Sequence, residues 1–317
     1  MKSTKKIIVM LIIVVTTFYS CKKETSPCTN CSSRQFSISS FFKLSQPAMQ
    51  NFNINAGQFA SIIGAKGTKV FFYPTTFKNK NGQVVSSGTV TIVLQEMLKG
   101  ADMILANKTT TSDGKLLQSG GQILLKAYQN NEELFINAAA KPTVKIPASN
   151  SAPMNLFYGN VTANDTLAGD STINWTPADT SGQVTILQDS FGLYNFQIDS
   201  FTYINCDYFY GSGQPLTDVS VVVPTQYVDS NTAVFIFFPT INSVSRFHEF
   251  NATTHTFNLG WGYKIPIGLS AKIVVVSQIG SQYYYDMQAV TISNGLSINS
   301  TPAASTLTNI QSQIAAL

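Results

Sequence analysis

An all-β chain is predicted, with two antiparallel, sandwich-like domains behind an N-terminal signal and tether and one short C-terminal helix. Three observations carry this. Apolar and polar residues alternate over short runs. In "GTVTIVLQE" (88–96), Val90, Ile92 and Leu94 fall on one face and Thr89, Thr91 and Gln95 on the other. Turn pairs punctuate the runs at hairpin spacing: Asn81-Gly82, Asp113-Gly114, Gly120-Gly121 and Asn130-Asn131. No amphipathic helical pattern lies between them, which favours an antiparallel sandwich over a parallel sheet with crossover helices.

The composition fits such a fold. A length of 317 residues suffices for two domains. Hydrophobic residues make up 44%, enough for a packed core, whereas charged residues make up only 11%, against about 25% in an average globular chain. Ser, Thr, Asn, Gln, Gly and Tyr fill the difference, as in an exported β protein with a neutral polar surface. The net charge is +4, and Lys2, Lys5 and Lys6 in the leader supply three of those charges. Arg34 and Arg246 are the only arginines. No basic stripe remains to displace counterions from a polyanionic backbone, so nucleic acid is not an expected partner.

The chain starts with a basic leader (1–6) and the apolar run "IIVMLIIVV" (7–15). Nine residues fall short of the roughly 20 that a membrane-spanning helix needs and fit the apolar region of a signal peptide. Ser20 then precedes Cys21. The stretch "FYSC" resembles the lipobox of bacterial lipoproteins, with Phe18 and Tyr19 in place of the usual aliphatic and small residues. That resemblance implies a signal peptide over 1–20, lipid on Cys21 and a tether over 21–48. It also implies an outer-membrane location with the membrane as partner through the acyl chains. Lys22, Lys23 and Glu24 weakly resemble the short signal that sends such lipoproteins to the cell surface. Cys28 and Cys31 form a Cys-x-x-Cys between linker-like flanks. They read as a candidate disulfide, with free thiols and metal or redox chemistry as the alternatives.

The first β domain is expected over 49–150. "TKVFFYP" and "PTVKIP" read as short strands, and "QILLKAYQ" as a longer one. The string from "FFYPTTF" through "GTVTIVLQE", "TTTSDGKLLQSGG" and "QILLKAYQ" to "PTVKIP" resembles a β domain of Bacteroidetes-type cell-envelope lipoproteins. It is more distantly similar to the paired β domains of ankyrins and netrin receptors. The resemblance implies partner binding rather than hydrolysis. The second β domain is expected over 151–304. There "YINCDYF" (203–209) is similar to the same group's W-I-N-C-D-R-F signature, with Tyr203 and Tyr208 as departures. From 305 to 317, Leu307, Ile310, Ile314 and Leu317 recur at helical spacing behind Ser305 or Thr306 as cap. This helix is expected to dock on the second domain.

Residue types that carry chemistry are sparse. Cys206 reads as a small buried hydrophobe and Asp207 as a satisfied acid, with a Cys206 nucleophile as the competing reading. His248 and His255 in "HEFNATTH" lack the i, i+4 spacing of a zinc-binding helix. "NDTLAGDST" (164–172) offers Thr166 and Ser171 as candidate O-glycosylation sites by resemblance to exported Bacteroidetes proteins, against two Asx turns or a Ca²⁺ loop. Tyr283, Tyr284 and Tyr285 must alternate between faces of a strand, through core packing or sugar stacking. No catalytic residue, metal or cofactor is expected. The leading expectation is a non-catalytic binding or accessory protein of the envelope that contacts a glycan or an envelope protein. The alternatives are a surface hydrolase using loop carboxylates or Cys206, and a purely structural component.

Overall fold

Alternating strands pair into four larger sheets among the described residues, and these stack as two sandwiches. The structure, a computed structural model, describes residues 38–148, 152–162, 172–178, 185–211, 213–260 and 262–317. Cys21, Cys28, Cys31, Thr166 and Ser171 lie outside the described residues.

Sheet I runs, edge to edge, Gln50–Asn55, Thr89–Met97, Lys115–Gln129, Tyr203–Phe209, Asn155–Thr162 and Thr172–Pro177. Neighbours in it are antiparallel. Sheet II runs Leu193–Gln197, Thr143–Pro147, Lys69–Phe72 and Ala60–Ile63, again antiparallel. Their facing rows form one core. Val90, Ile92 and Leu94 from sheet I meet Val70, Phe72, Val144 and Ile146 from sheet II. The alternation in 88–96 thus points as its apolar half predicts.

Sheet III runs Ser243–Arg246, Thr232–Phe238, Ser270–Ile279, Gln282–Thr291 and Ala303–Ser305. Sheet IV runs Glu249–Asn251, Thr256–Asn258, Val219–Val222 and Leu296–Asn299, its last pair parallel. Val221, Phe257 and Ile298 of sheet IV pack on Val234, Ile236, Ile273 and Val275 of sheet III. The other face of sheet III lies under three helices: α1 (Ser39–Ser45), α2 (Gly100–Leu105) and α3 (Leu307–Ala315). Phe41, Phe42, Ile104, Ile310 and Ile314 close over Ala233, Phe235, Phe237, Val274 and Val276. Covered on both faces, Thr232–Phe238 is buried at every residue, which is why "TAVFIFF" does not alternate.

The strands do not change sandwich at residue 150, where the domain boundary was expected. Tyr203–Phe209 pairs with Lys115–Gln129, and Leu193–Gln197 with Thr143–Pro147, so the first sandwich continues to about residue 209. Strand and turn patterns are local and carry no information on which sheet a strand joins. The expected tether to residue 48 likewise ends sooner, because Phe41 and Phe42 are buried in the helical layer. The C-terminal helix forms as expected, with Thr306 Oγ1 accepting from the Asn309 N–H at 3.2 Å.

The two sandwiches are joined by buried polar contacts. Asn242, in the left-handed region at φ 49°, accepts from the Gly100 N–H and donates to the carbonyls of Leu98 and Ser119. A Cβ on Gly100 would lie 2.1 Å from the Phe237 ring, so only glycine lets α2 start against sheet III. Thr110 exchanges backbone and side-chain bonds with Val244 and Ser243. The buried Arg246 guanidinium donates to Asn107 at 3.0 Å.

Candidate binding surface

Asn205 pairs with Gln122 and Asp207 with Ser119, so Cys206 alone faces Gly120 and Gly121, where the register of Tyr203–Phe209 against Lys115–Gln129 shifts by one residue. The "SGG" and "NCD" stretches, far apart in sequence, therefore meet in one β-bulge. Gly121 takes φ 120°, open to glycine alone, and a Cβ on Gly120 would come within 2.7 Å of the Cys206 carbonyl oxygen. Ser119 Oγ donates to Asn205 Oδ1 at 3.2 Å, and Asn205 Nδ2 donates to Asp207 Oδ2 at 2.5 Å. Burial pushes the Asp207 carboxyl well above the usual carboxylate range, against the bonds from Ser119, Gly120 and Asn205. Burial, then the neighbouring Asp207, also pushes the Cys206 thiol up. Cys206 is fully inaccessible and its thiolate is disfavoured, so nothing here supplies a nucleophile. The motif shapes a bulge.

The remaining candidates are also spent on structure. Burial, then the Arg246 charge, lowers the His248 pKa to about 3, so its imidazole is neutral near pH 7. It stacks on Tyr263 with ring centroids 5.8 Å apart. His255 occupies a turn at φ 51°. Tyr283 and Tyr285 pack under the helices, and Tyr284 faces the other core against Tyr227. Asp189 accepts from the N–H groups of Phe191 and Leu193, capping a turn. Asp218 is engaged by Lys264 at 2.8 Å. Buried Glu96 accepts from Gln50 and from the Lys66 and Thr68 N–H groups. Burial opposes its ionisation, but these donors hold the carboxyl below its ordinary 4.5. Among the described residues no three His, Cys, Asp or Glu side chains converge as metal ligands.

One surface is built differently. Sheet II turns its even-numbered residues Ile62, Val70, Phe72, Val144, Ile146, Tyr194 and Phe196 into the core, which leaves the odd-numbered ones on the solvent face. The pairing registers arrange these outward residues in two rows across all four strands. One row is Ser61, Phe71, Thr143, Gln197; the other is Ile63, Lys69, Lys145, Asn195. Continuing the same parity, Phe59 and Tyr73 extend the face beyond the strand ends. Phe59 is 61% exposed and lies over Phe71, centroids 6.4 Å apart and planes 25° apart, and beside Tyr73 at 6.0 Å. The Tyr73 hydroxyl meets Thr143 Oγ1 at 3.1 Å, which fixes that ring. Ile63 is 62% exposed on the same face, and Phe191 stands 83% exposed at the tip of the adjoining turn.

The face runs into concave ground. A depression of about 500 Å³ lies between Tyr73, Lys141 and Gln197. Lys141 and Gln197 also line a cleft of about 510 Å³ shared with Leu156, Leu187 and Asp199. Aromatic rings held flat beside hydroxyl, amide and amine groups can stack on an apolar ring face while hydrogen-bonding its rim. The alternating string "KVFFYP" carries this arrangement, but an exposed aromatic row and a buried one look alike until the partner sheet is known.

No protein-family model and no curated protein matches the chain. Among solved structures, the Bacillus anthracis TIE protein aligns with 10% identity and a TM-score of 0.18, over 81% of this chain and 57% of that chain. A likeness of that size carries no argument about fold or activity.

Proposed function

We propose that this chain is a lipid-anchored envelope protein that binds a glycan, without transforming it, on the outer face of sheet II. The observation that carries the reading is the cluster of Phe59, Phe71 and Tyr73, held by Thr143 on an exposed antiparallel face. Large rings left in water cost stability unless something covers them, and carbohydrate ring faces are a fitting cover. Location rests on the leader and on Cys21, which the lipobox resemblance makes the attachment point. From there the stretch before α1 would link the membrane to the folded body.

A glycan array probed with the full chain, followed by titration of any ligand retained, tests the binding. Phe59→Ala should weaken binding by about tenfold or more without lowering the melting temperature, Tyr73→Ala should weaken it as much with a modest loss of stability from its Thr143 hydrogen bond, and wild-type levels of binding in both would overturn the reading. Retention of an envelope protein but no glycan would move the face to protein contact. Mass spectrometry of the mature N-terminus should find acylated Cys21, and an unmodified N-terminus further along the chain would refute the anchor.

A further inference from the structure

Lys69 and Lys145 are direct cross-strand partners on the outer face of sheet II. Like charges placed opposite each other on one face of a sheet destabilise the pair. The core requires lysine at neither place, since both side chains point away from it. Lys145 is relieved on one side by Asp189, at 3.2 Å from its Nζ. Lys69 makes no ion pair among the described residues. It sits two residues from Phe71 on its own strand, about 6.6 Å at the usual rise, so its ammonium and the aromatic rings reach neighbouring parts of one ligand.

From this juxtaposition we infer that the glycan is acidic: a polysaccharide whose sugar rings stack on Phe59 and Tyr73 while their carboxylate or sulfate groups fall between Lys69 and Lys145. The inference rests on the glycan-binding reading and adds the charge of the ligand. An anion between the two ammonium groups turns their repulsion into two attractions. Asn195, at the far end of the same row, supplies an uncharged amide for a sugar hydroxyl. A neutral glycan would use the rings and the amide and leave the lysine pair unexplained.

Affinity gel electrophoresis of the full chain separates the two statements. Polygalacturonate, alginate and chondroitin sulfate form the acidic set; fully methyl-esterified pectin, dextran and galactan form the neutral one. At least one acidic polymer should retard the protein at least tenfold more strongly than the neutral set does. Lys69→Gln should weaken that retention about tenfold and flatten its salt dependence, while the melting temperature stays the same or rises. Equal retention by neutral polymers, or acidic retention untouched by Lys69→Gln, would overturn the charge inference and leave glycan binding standing. Retention by neither set, with no hit on the array, would sink both.

Discussion

Sheet II leaves its outer face to solvent, with Phe59, Phe71 and Tyr73 on it, whereas sheet III carries its outer phenylalanines under three helices. Both faces are rich in aromatic rings. What differs is the cover. Helices α1, α2 and α3 come from an N-terminal segment, a hairpin insertion and the C-terminus, and all converge on sheet III. Among the described residues no helix is placed over sheet II. Phe59 on the first face therefore reaches solvent, and the rings on the second are committed to stability.

Truncating one ring on each face tests this difference most directly. Phe235→Ala, in the covered face against Phe42, should cost about 3–5 kcal/mol in urea unfolding, the usual cost of a large ring lost from a core. A loss below about 1 kcal/mol would mean that the helical layer does not hold that face. Next in size is the joint between the sandwiches. Asn242→Ala removes three hydrogen bonds and puts alanine at a positive φ, so a loss of about 2–3 kcal/mol is expected. Separate unfolding transitions for the two sandwiches in calorimetry would reveal the same weakening.

Glu96 gives a smaller, pH-dependent effect confined to the first sandwich. Its folded carboxyl titrates below the ordinary 4.5, so its stabilisation is complete above that value and is lost as the pH falls through the depressed folded value. Glu96→Gln should flatten that acid limb and cost about 1–2 kcal/mol at neutral pH, read by melts across pH 2–7. An unchanged acid limb would refute the assignment. The smallest stability effect belongs to the open face: Phe59→Ala should change unfolding free energy by no more than about 0.5 kcal/mol, as at other exposed positions, while binding weakens about tenfold or more. A loss comparable to Phe235→Ala would show that the rings of sheet II serve the fold after all.

Local patterns made some of this legible in advance. The alternation in 88–96 named the inward side of its strand, and Thr306 was one of two residues expected to cap the last helix. Cys206 was expected to be a buried hydrophobe, and it is. The partition of strands between sandwiches was not legible, because Leu193–Gln197 and Tyr203–Phe209 cross the expected boundary to pair with strands about fifty to ninety residues earlier. The packing of α1 was also missed: a seven-residue helix in a polar stretch shows too little periodicity to stand out. Of the two readings of the Tyr283–Tyr285 triplet, core packing is the one the structure shows, whereas the exposed ring of Phe59 stood out in no local pattern.

Periodicity, capping and composition act within a few residues along the chain, and they suffice for the all-β class, the C-terminal helix and the scarcity of chemistry-bearing side chains. That "SGG" and "NCD" form one bulge, that Lys69 faces Lys145, and that one aromatic face lies under helices while Phe59 on another reaches solvent, all follow from long-range packing. Those outcomes depend on which strands become neighbours and on what docks over them. Strand pairing and helix docking are set by the summed burial of the whole core, and a local pattern fixes one side of a strand without naming what it will face.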